Sequence, residues 1–166
     1  METPGIYKGL KIRLNIGRRM KEISAGAIVF RMHNKKPKYL LLHYGAGHWD
    51  FVKGHIEGGE TEEETLLREA KEEANLTDLK LINGFREKLS YFYRKDGKTI
   101  AKDVIFFLAQ TAAAEKDVKL SFEHSDYAWL DFDAAVKKVT YGSSKDVLKK
   151  ANKFLEEFSK QKRLQQ

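Results

Sequence analysis

The sequence predicts an α+β domain, with helices packed on a mixed or antiparallel sheet. Three observations predict it: short apolar runs rich in strand formers open the chain, a strongly patterned helix interrupts them, and further strands precede two terminal helices. At 166 residues the chain is long enough for one domain with a real core and too short for two of ordinary size.

The elements follow in order. Residues 24–30 (SAGAIVF) and 39–44 (YLLLHY) read as strands, and the polar, proline-containing stretch 33–38 between them as a hairpin loop. Gly45, Ala46 and Gly47 break the chain before His48, Trp49, Asp50, Phe51 and Val52. After the helix, residues 79–90 and 100–110 read as strands, and Asp96-Gly97 is a strong turn signal between Tyr93 and Thr99. A short strand over 127–130 precedes helices over 133–139 and 145–158. The second of these has Val147, Leu148, Ala151, Phe154, Leu155 and Phe158 at helical spacing. Residues 1–22 form a basic N-terminal extension, 23–160 the folded domain and 161–166 a polar C-terminal tail.

Hydrophobic residues at 42% and charged residues at 33% exclude a disordered chain. The absence of cysteine excludes disulfides and thiolate metal sites and fits a reducing, cytoplasmic compartment. No apolar run is long enough to span a bilayer, and no secretory signal opens the chain, so no membrane partner is expected. The net charge of +7 is placed unevenly: Lys8, Lys11, Arg13, Arg18, Arg19 and Lys21 stand against Glu2 alone. Such ends are either solvated or attract polyanions, including nucleotides and RNA. The sequence carries no signal for an oligomeric state.

Residues 54–76 (GHIEGGETEEETLLREAKEEANL) carry the chemistry. Thr61 followed by Glu64 is a capping box, so the helix begins at Thr61, and Glu62, Glu63 and Glu64 fall where the helix dipole favours negative charge. Helix physics does not explain Glu69, Glu72 and Glu73. Glu73 lies about 40° from Glu69 on one side and Glu72 about 60° on the other, so the three share one sector. Leu66, Leu67, Ala70 and Ala74 fill the neighbouring, core-facing sector. Arg68 can pair with Glu72, but one arginine cannot neutralise three carboxylates. Hard oxygen ligands on a rigid element suit Mg²⁺ or Mn²⁺ bridging to a phosphate chain. The plain alternative is a solvated acidic face. Against it, Lys71 is the only lysine in the helix and points away from the carboxylates.

Gly54, Glu60, Arg68, Glu69, Glu72 and Glu73 stand at the spacing of the Nudix box, which this stretch resembles. Two positions depart. Ala70 replaces a larger aliphatic residue, and Asn75 replaces the closing glycine, where asparagine still suits a left-handed cap. The resemblance implies an α/β/α sandwich that hydrolyses nucleoside diphosphates linked to another group. It also implies that Glu69, Glu72 and Glu73 hold metal with the Lys53 carbonyl, that Arg68 orients the glutamates and that Glu60 supports the loop–helix joint.

The flanking sequence, a His48-Trp49 before the box and a Ser121-x-Glu123-His124-x3-Ala128-Trp129 run after it, resembles the asymmetric diadenosine tetraphosphate hydrolases over about residues 24–158. That resemblance implies that Tyr91 stacks on an adenine ring, with Tyr93 expected on the opposite strand face. It implies that His48 and Lys102 contact the polyphosphate, that His124 stays near the phosphates, and that Glu123 joins the metal cluster or positions water. Trp49 is expected to pack under the box loop. Two alternatives stand beside this: an RNA 5′-end pyrophosphohydrolase served by the basic N-terminal segment, and a noncatalytic nucleotide-binding module. The second would not need its glutamates, and all are present.

Overall fold

The computed structural model describes residues 13–16 and 19–166. Strand β2 (Arg19–His33) is the strand on which the sheet assembles. Along one edge, its residues 20–30 run parallel to β7 (Lys98–Gln110). Along the other edge it pairs antiparallel with three partners in succession: β1 (Arg13–Ile16), then β5 (Val52–His55), then β3 (Lys36–Tyr44). β3 in turn carries β4 (Trp49–Asp50) and β8 (His124–Leu130), and β6 (Lys80–Lys95) pairs antiparallel with β7. One parallel pairing among antiparallel ones makes the sheet mixed, as expected.

Period-two alternation sends each strand's apolar residues to two separate cores. Ile28, Phe30, Tyr39, Leu41, Val104, Phe106 and Leu108 face α2 (Phe132–Lys138) and α3 (Gly142–Leu164), meeting Ala135, Val139, Val147, Leu148 and Leu155. Ala27, Val29, Leu40, Leu42 and Val52 face α1 (Glu62–Ala74), meeting Leu66, Ala70 and Ala74. The result is a three-layer sandwich, helix on sheet on helices.

Burying a leucine contributes roughly 2 kcal/mol, whereas exposed charges contribute little. The apolar seam of α1 therefore sets the helix's rotation, and its glutamates follow. Ala70 is fully buried in that seam, so a small residue suits the close approach of α1 to the sheet. Leu67 does not join the seam as expected; it is 43% exposed, one position off the buried stripe.

Both ends of α1 match the expected caps. The Thr61 side chain accepts from the Glu64 backbone and the Glu64 side chain accepts from the Thr61 backbone. Asn75 adopts the left-handed conformation at φ 59°, and Leu76 N–H returns to the Ala70 carbonyl.

Several boundaries differ. The loop expected over residues 33–38 is a two-residue turn, Asn34-Lys35, both at positive φ, and β3 begins at Lys36. Pro37 sits opposite Met32 in the ladder, so its polar surroundings mark a solvated hairpin end and not a loop. A second such turn, at Asp96-Gly97, joins β6 and β7. β8 starts three residues early, at His124, and α3 continues through residues 161–164 of the expected tail. β1 and the start of β2 fall within residues 1–22; the remainder of that segment lies outside the described residues. Among the described residues, no helix is long and apolar enough to cross a membrane.

Candidate active site

The cleft follows from strand register. On β2, Glu22 and Ser24 continue the face that carries Ile28 and Phe30. On β7, Lys102 continues the face of Val104 and Phe106, and it lies beside Glu22 in the ladder. On β6, Tyr91 sits opposite Lys102 and Leu89 opposite Val104. Beyond the cover of α2 and α3, this apolar face turns polar and aromatic, and it opens into a cleft of about 1020 Å³.

β5 joins that face to α1. Lys53 and His55 pair with Gly26 and Ser24, so their side chains enter the cleft, while Gly54 between them turns toward α1. The Glu69 carboxylate occupies the space a Cβ on Gly54 would fill. Gly54→Ala is therefore expected to fold yet displace Glu69. It should lower kcat about 100-fold, the scale of a misplacement near 1 Å, as checked by steady-state kinetics beside a thermal melt.

Arg68 ties the carboxylates together. Its guanidinium donates to Glu60 at 2.5 and 3.0 Å, to Glu69 at 2.8 Å, to Glu72 at 3.3 Å and to the His55 carbonyl at 3.0 Å. Glu60 also accepts from the Glu57 N–H and the Thr65 hydroxyl, which knits the loop to the helix. This pairing with Arg68 holds the Glu60 carboxyl at about 2. Glu60 itself stays behind Arg68 and does not line the cleft.

Glu69 and Glu73 are in the opposite condition. Burial, with Glu72 and Glu123 close by, pushes the Glu69 carboxyl up to about 7, and burial with Glu69 and Glu123 close by pushes that of Glu73 up to about 9. Glu73 is 5% exposed and accepts from the Lys53 N–H at 3.3 Å. A buried carboxylate and a half-buried one that resist ionising beside one another are a site in want of a cation. The donor set is all oxygen, which fits a hard divalent ion. Among the described residues no three acidic or histidine side chains form a closed coordination set.

His48, Lys53, Glu69, Glu72, Glu73, Arg68, Tyr91, Lys102 and Glu123 all line the cleft. His124 does not. Its side chain is fully buried, with Nδ1 on the Ser121 hydroxyl at 3.1 Å and Nε2 3.8 Å from Glu73. His124, expected near the phosphates, thus sits behind the cleft wall: β8 starts there, and its ring lies inward against Glu73. Tyr93 is corrected. Two residues apart on one strand, Tyr91 and Tyr93 share a face, with ring centroids 6.4 Å apart, and both line the cleft. Trp49, expected under the box loop, instead packs outside the cleft on His43 at 4.8 Å, with the Lys138 ammonium 4.1 Å from its ring.

Several lining residues escaped the sequence. The buried Asp50 carboxylate grips the Lys53 ammonium at 2.5 Å. Tyr44 donates its hydroxyl to the Phe51 carbonyl and stacks on His48 at 4.7 Å. Burial and the Lys53 charge hold the His48 imidazole below its ordinary value. Tyr141, at the start of α3, lies 5.4 Å from His48. Only strand pairing brings these together, although a charged Asp50 two residues after His48 was a usable signal.

Comparison with known proteins agrees with this geometry. The NUDIX domain model matches residues 20–151. The chain is 36% identical over 142 residues to the asymmetrical bis(5′-nucleosyl)-tetraphosphatase of Rattus norvegicus, covering 80% of this chain and 94% of the relative. It superposes on a crystal structure of a C. elegans Ap4A hydrolase binary complex with a TM-score of 0.72 at 34% identity, covering 81% of this chain and 98% of that one. An RNA pyrophosphohydrolase of Mannheimia succiniciproducens is 31% identical over 134 residues, covering 72% of this chain and 68% of the relative.

Proposed function

Since this chain belongs to the Nudix family of hydrolases, we propose that it cleaves diadenosine tetraphosphate asymmetrically, to ATP and AMP, with a divalent metal, Mg²⁺ or Mn²⁺. One observation carries the reading: a single cleft joins the half-buried Glu69 and the buried Glu73 to the lysines at 53 and 102 and to the aromatic rings of Tyr91, Phe92 and Tyr93. Carboxylates for metal, cations for a phosphate chain and rings for a base are the three things a dinucleoside polyphosphate needs. The relatives that carry this activity match the chain over nearly their whole length.

Glu69, Glu72, Glu73 and Glu123, with the Lys53 carbonyl, would hold the metal. When bound, it supplies charge for the phosphate oxygens and acidifies a water. The chain's residues do the rest. Arg68 and Glu60 hold the glutamates at fixed spacing. Lys53, steadied by Asp50, and Lys102 neutralise the polyphosphate, and the uncharged His48 ring offers it a hydrogen bond. Tyr91, 37% exposed, offers a face for an adenine. Glu123, exposed at the cleft, is placed to orient or deprotonate the water that attacks phosphorus in line. Each proton taken up there leaves to solvent after the phosphoanhydride bond breaks.

The expected result is equal amounts of ATP and AMP from diadenosine tetraphosphate with Mg²⁺, and none without a divalent ion, as read by ion-exchange chromatography. Two molecules of ADP, or binding without turnover, would overturn the assignment. The second reading, pyrophosphate removal from RNA 5′ ends, is favoured by the cations of residues 8–21 and by the RNA pyrophosphohydrolase relative. Faster turnover of 5′-triphosphate RNA, lost on removing residues 1–12 and in high salt, would select it.

A further inference from the structure

The face of the sheet that bears the cleft also bears a carboxylate outside the box. Glu22 on β2 is 1% exposed. Its Oε2 accepts the Tyr93 hydroxyl at 2.6 Å and lies 2.8 Å from Nε2 of His55. Lys102 is its neighbour in the β2–β7 ladder. Burial opposes the charge of this carboxylate, yet the hydrogen bonds from Tyr93 and His55 and the nearby Lys102 charge outweigh it and hold the carboxyl at about 2.

An ionised carboxylate beneath a cleft that receives a polyanion is costly unless it serves some end. Its three neighbours point to that end, because His55, Tyr93 and Lys102 all line the cleft. The Lys102 ammonium lies 6.0 Å from the Tyr93 ring, so the phenol that Glu22 fixes also supports the lysine. His55 is fastened twice. Its ring meets Glu22, and its carbonyl accepts from Arg68 at 3.0 Å, which links the β2 side of the cleft to the glutamates of α1. A buried anion that orders several donors around itself raises their grip on a ligand by removing the cost of ordering them at binding.

We propose that Glu22 is a positioning residue for the polyphosphate wall of the cleft, holding His55 and Tyr93 through hydrogen bonds and Lys102 through its charge. The inference rests on the reading of the cleft as a nucleoside polyphosphate site. Within that reading it assigns a role to a side chain that makes no contact with metal or reacting phosphorus.

Glu22→Gln keeps the shape and one acceptor while removing the charge. Its affinity for inorganic tripolyphosphate with Mg²⁺, measured by titration calorimetry, is expected to fall about tenfold, the scale of one hydrogen bond to a charged group. KM for diadenosine tetraphosphate should rise by a similar factor, with kcat within about twofold. The double variant with His55→Asn should lose no more than the larger single loss, since one linked unit is broken either way. Unchanged tripolyphosphate affinity and KM in a folded Glu22→Gln protein, or additive losses in the double variant, would overturn the proposal. So would a lowered Tm with unchanged affinity, the mark of a purely structural role. Should Glu22→Gln fail to fold, Tyr93→Phe removes only the hydroxyl and should still cost about threefold in affinity. Glu22-dependent tripolyphosphate binding in a protein that leaves diadenosine tetraphosphate intact would sustain this inference while removing the substrate assignment.

Discussion

Glu73→Gln is expected to lower kcat at least about 1000-fold while raising the thermal midpoint of the metal-free protein at neutral pH. The two effects share one cause. Glu73 is buried, with Glu69 beside it, and its carboxyl is pushed from 4.5 up to about 9. A carboxyl raised in the folded state is protonated there while the unfolded chain's is ionised, so folding takes up a proton between these values. Metal-free stability should therefore be greatest at or below about pH 4.5, as far as this group is concerned, and should fall as pH rises toward about 9. Glutamine keeps the acceptor for the Lys53 N–H and never ionises, so the variant should lose this slope. Each kcal/mol recovered raises Tm by about 2–4 °C in a domain of this size. Activity fails because an uncharged amide is a poor ligand for a hard cation. Melts from pH 5 to 9, with and without Mg²⁺, check both halves. Metal should stabilise the parent strongly at high pH and the variant weakly. Retained turnover, or a variant melting below the parent at pH 8 without metal, would remove Glu73 from the metal site.

The parts of this site that were legible in the sequence are those whose geometry is local. Thr61 and Glu64 are three residues apart, and Asn75 ends its own helix, so capping rules reach them. Helical spacing likewise places Glu69, Glu72 and Glu73 in one sector with no knowledge of the sheet. Helices on a mixed or antiparallel sheet were legible from the order of strands and helices, and the sandwich only through the resemblance to the Nudix box. The cleft's other wall was not. Glu22 meets partners 33 and 71 residues away, and the β2–β5, β2–β7 and β6–β7 registers bring them together. One signal was present: positions 22 and 24 are polar where 28 and 30 on the same face are apolar, which marks the edge of a core. The sides taken by Glu123 and His124 were not legible for a related reason: β8 begins at His124, whose ring is buried, while Glu123 just before it lines the cleft.

Arg68→Ala is expected to damage stability and activity together, and Arg68→Lys to recover only part of either. Arg68 sits among Glu60, Glu69 and Glu72, with 22% of its side chain exposed, and makes five hydrogen bonds to these carboxylates and to the His55 carbonyl. Its removal leaves Glu60 without the partner that holds it at about 2, and Glu69 without the guanidinium that donates to it. Breaking such a pair exposes the full cost of the charges left behind, here about 2–3 kcal/mol once partial exposure is allowed for. That corresponds to a fall in Tm of roughly 5–10 °C. Because the Glu60 contribution is present above its ordinary value of 4.5 and lost as pH falls toward about 2, the gap between parent and variant should narrow in acid. Activity should fall about 100-fold, since Glu69 and Glu72 lose the fork that sets their separation and His55 loses its tie to α1. A lysine restores one charge but cannot span Glu60 and Glu69 with a planar fork. It should recover more of the melting temperature than of kcat. Equal recovery of the two would mean that Arg68 only neutralises the helix, and that the spacing of the glutamates is set by the backbone alone.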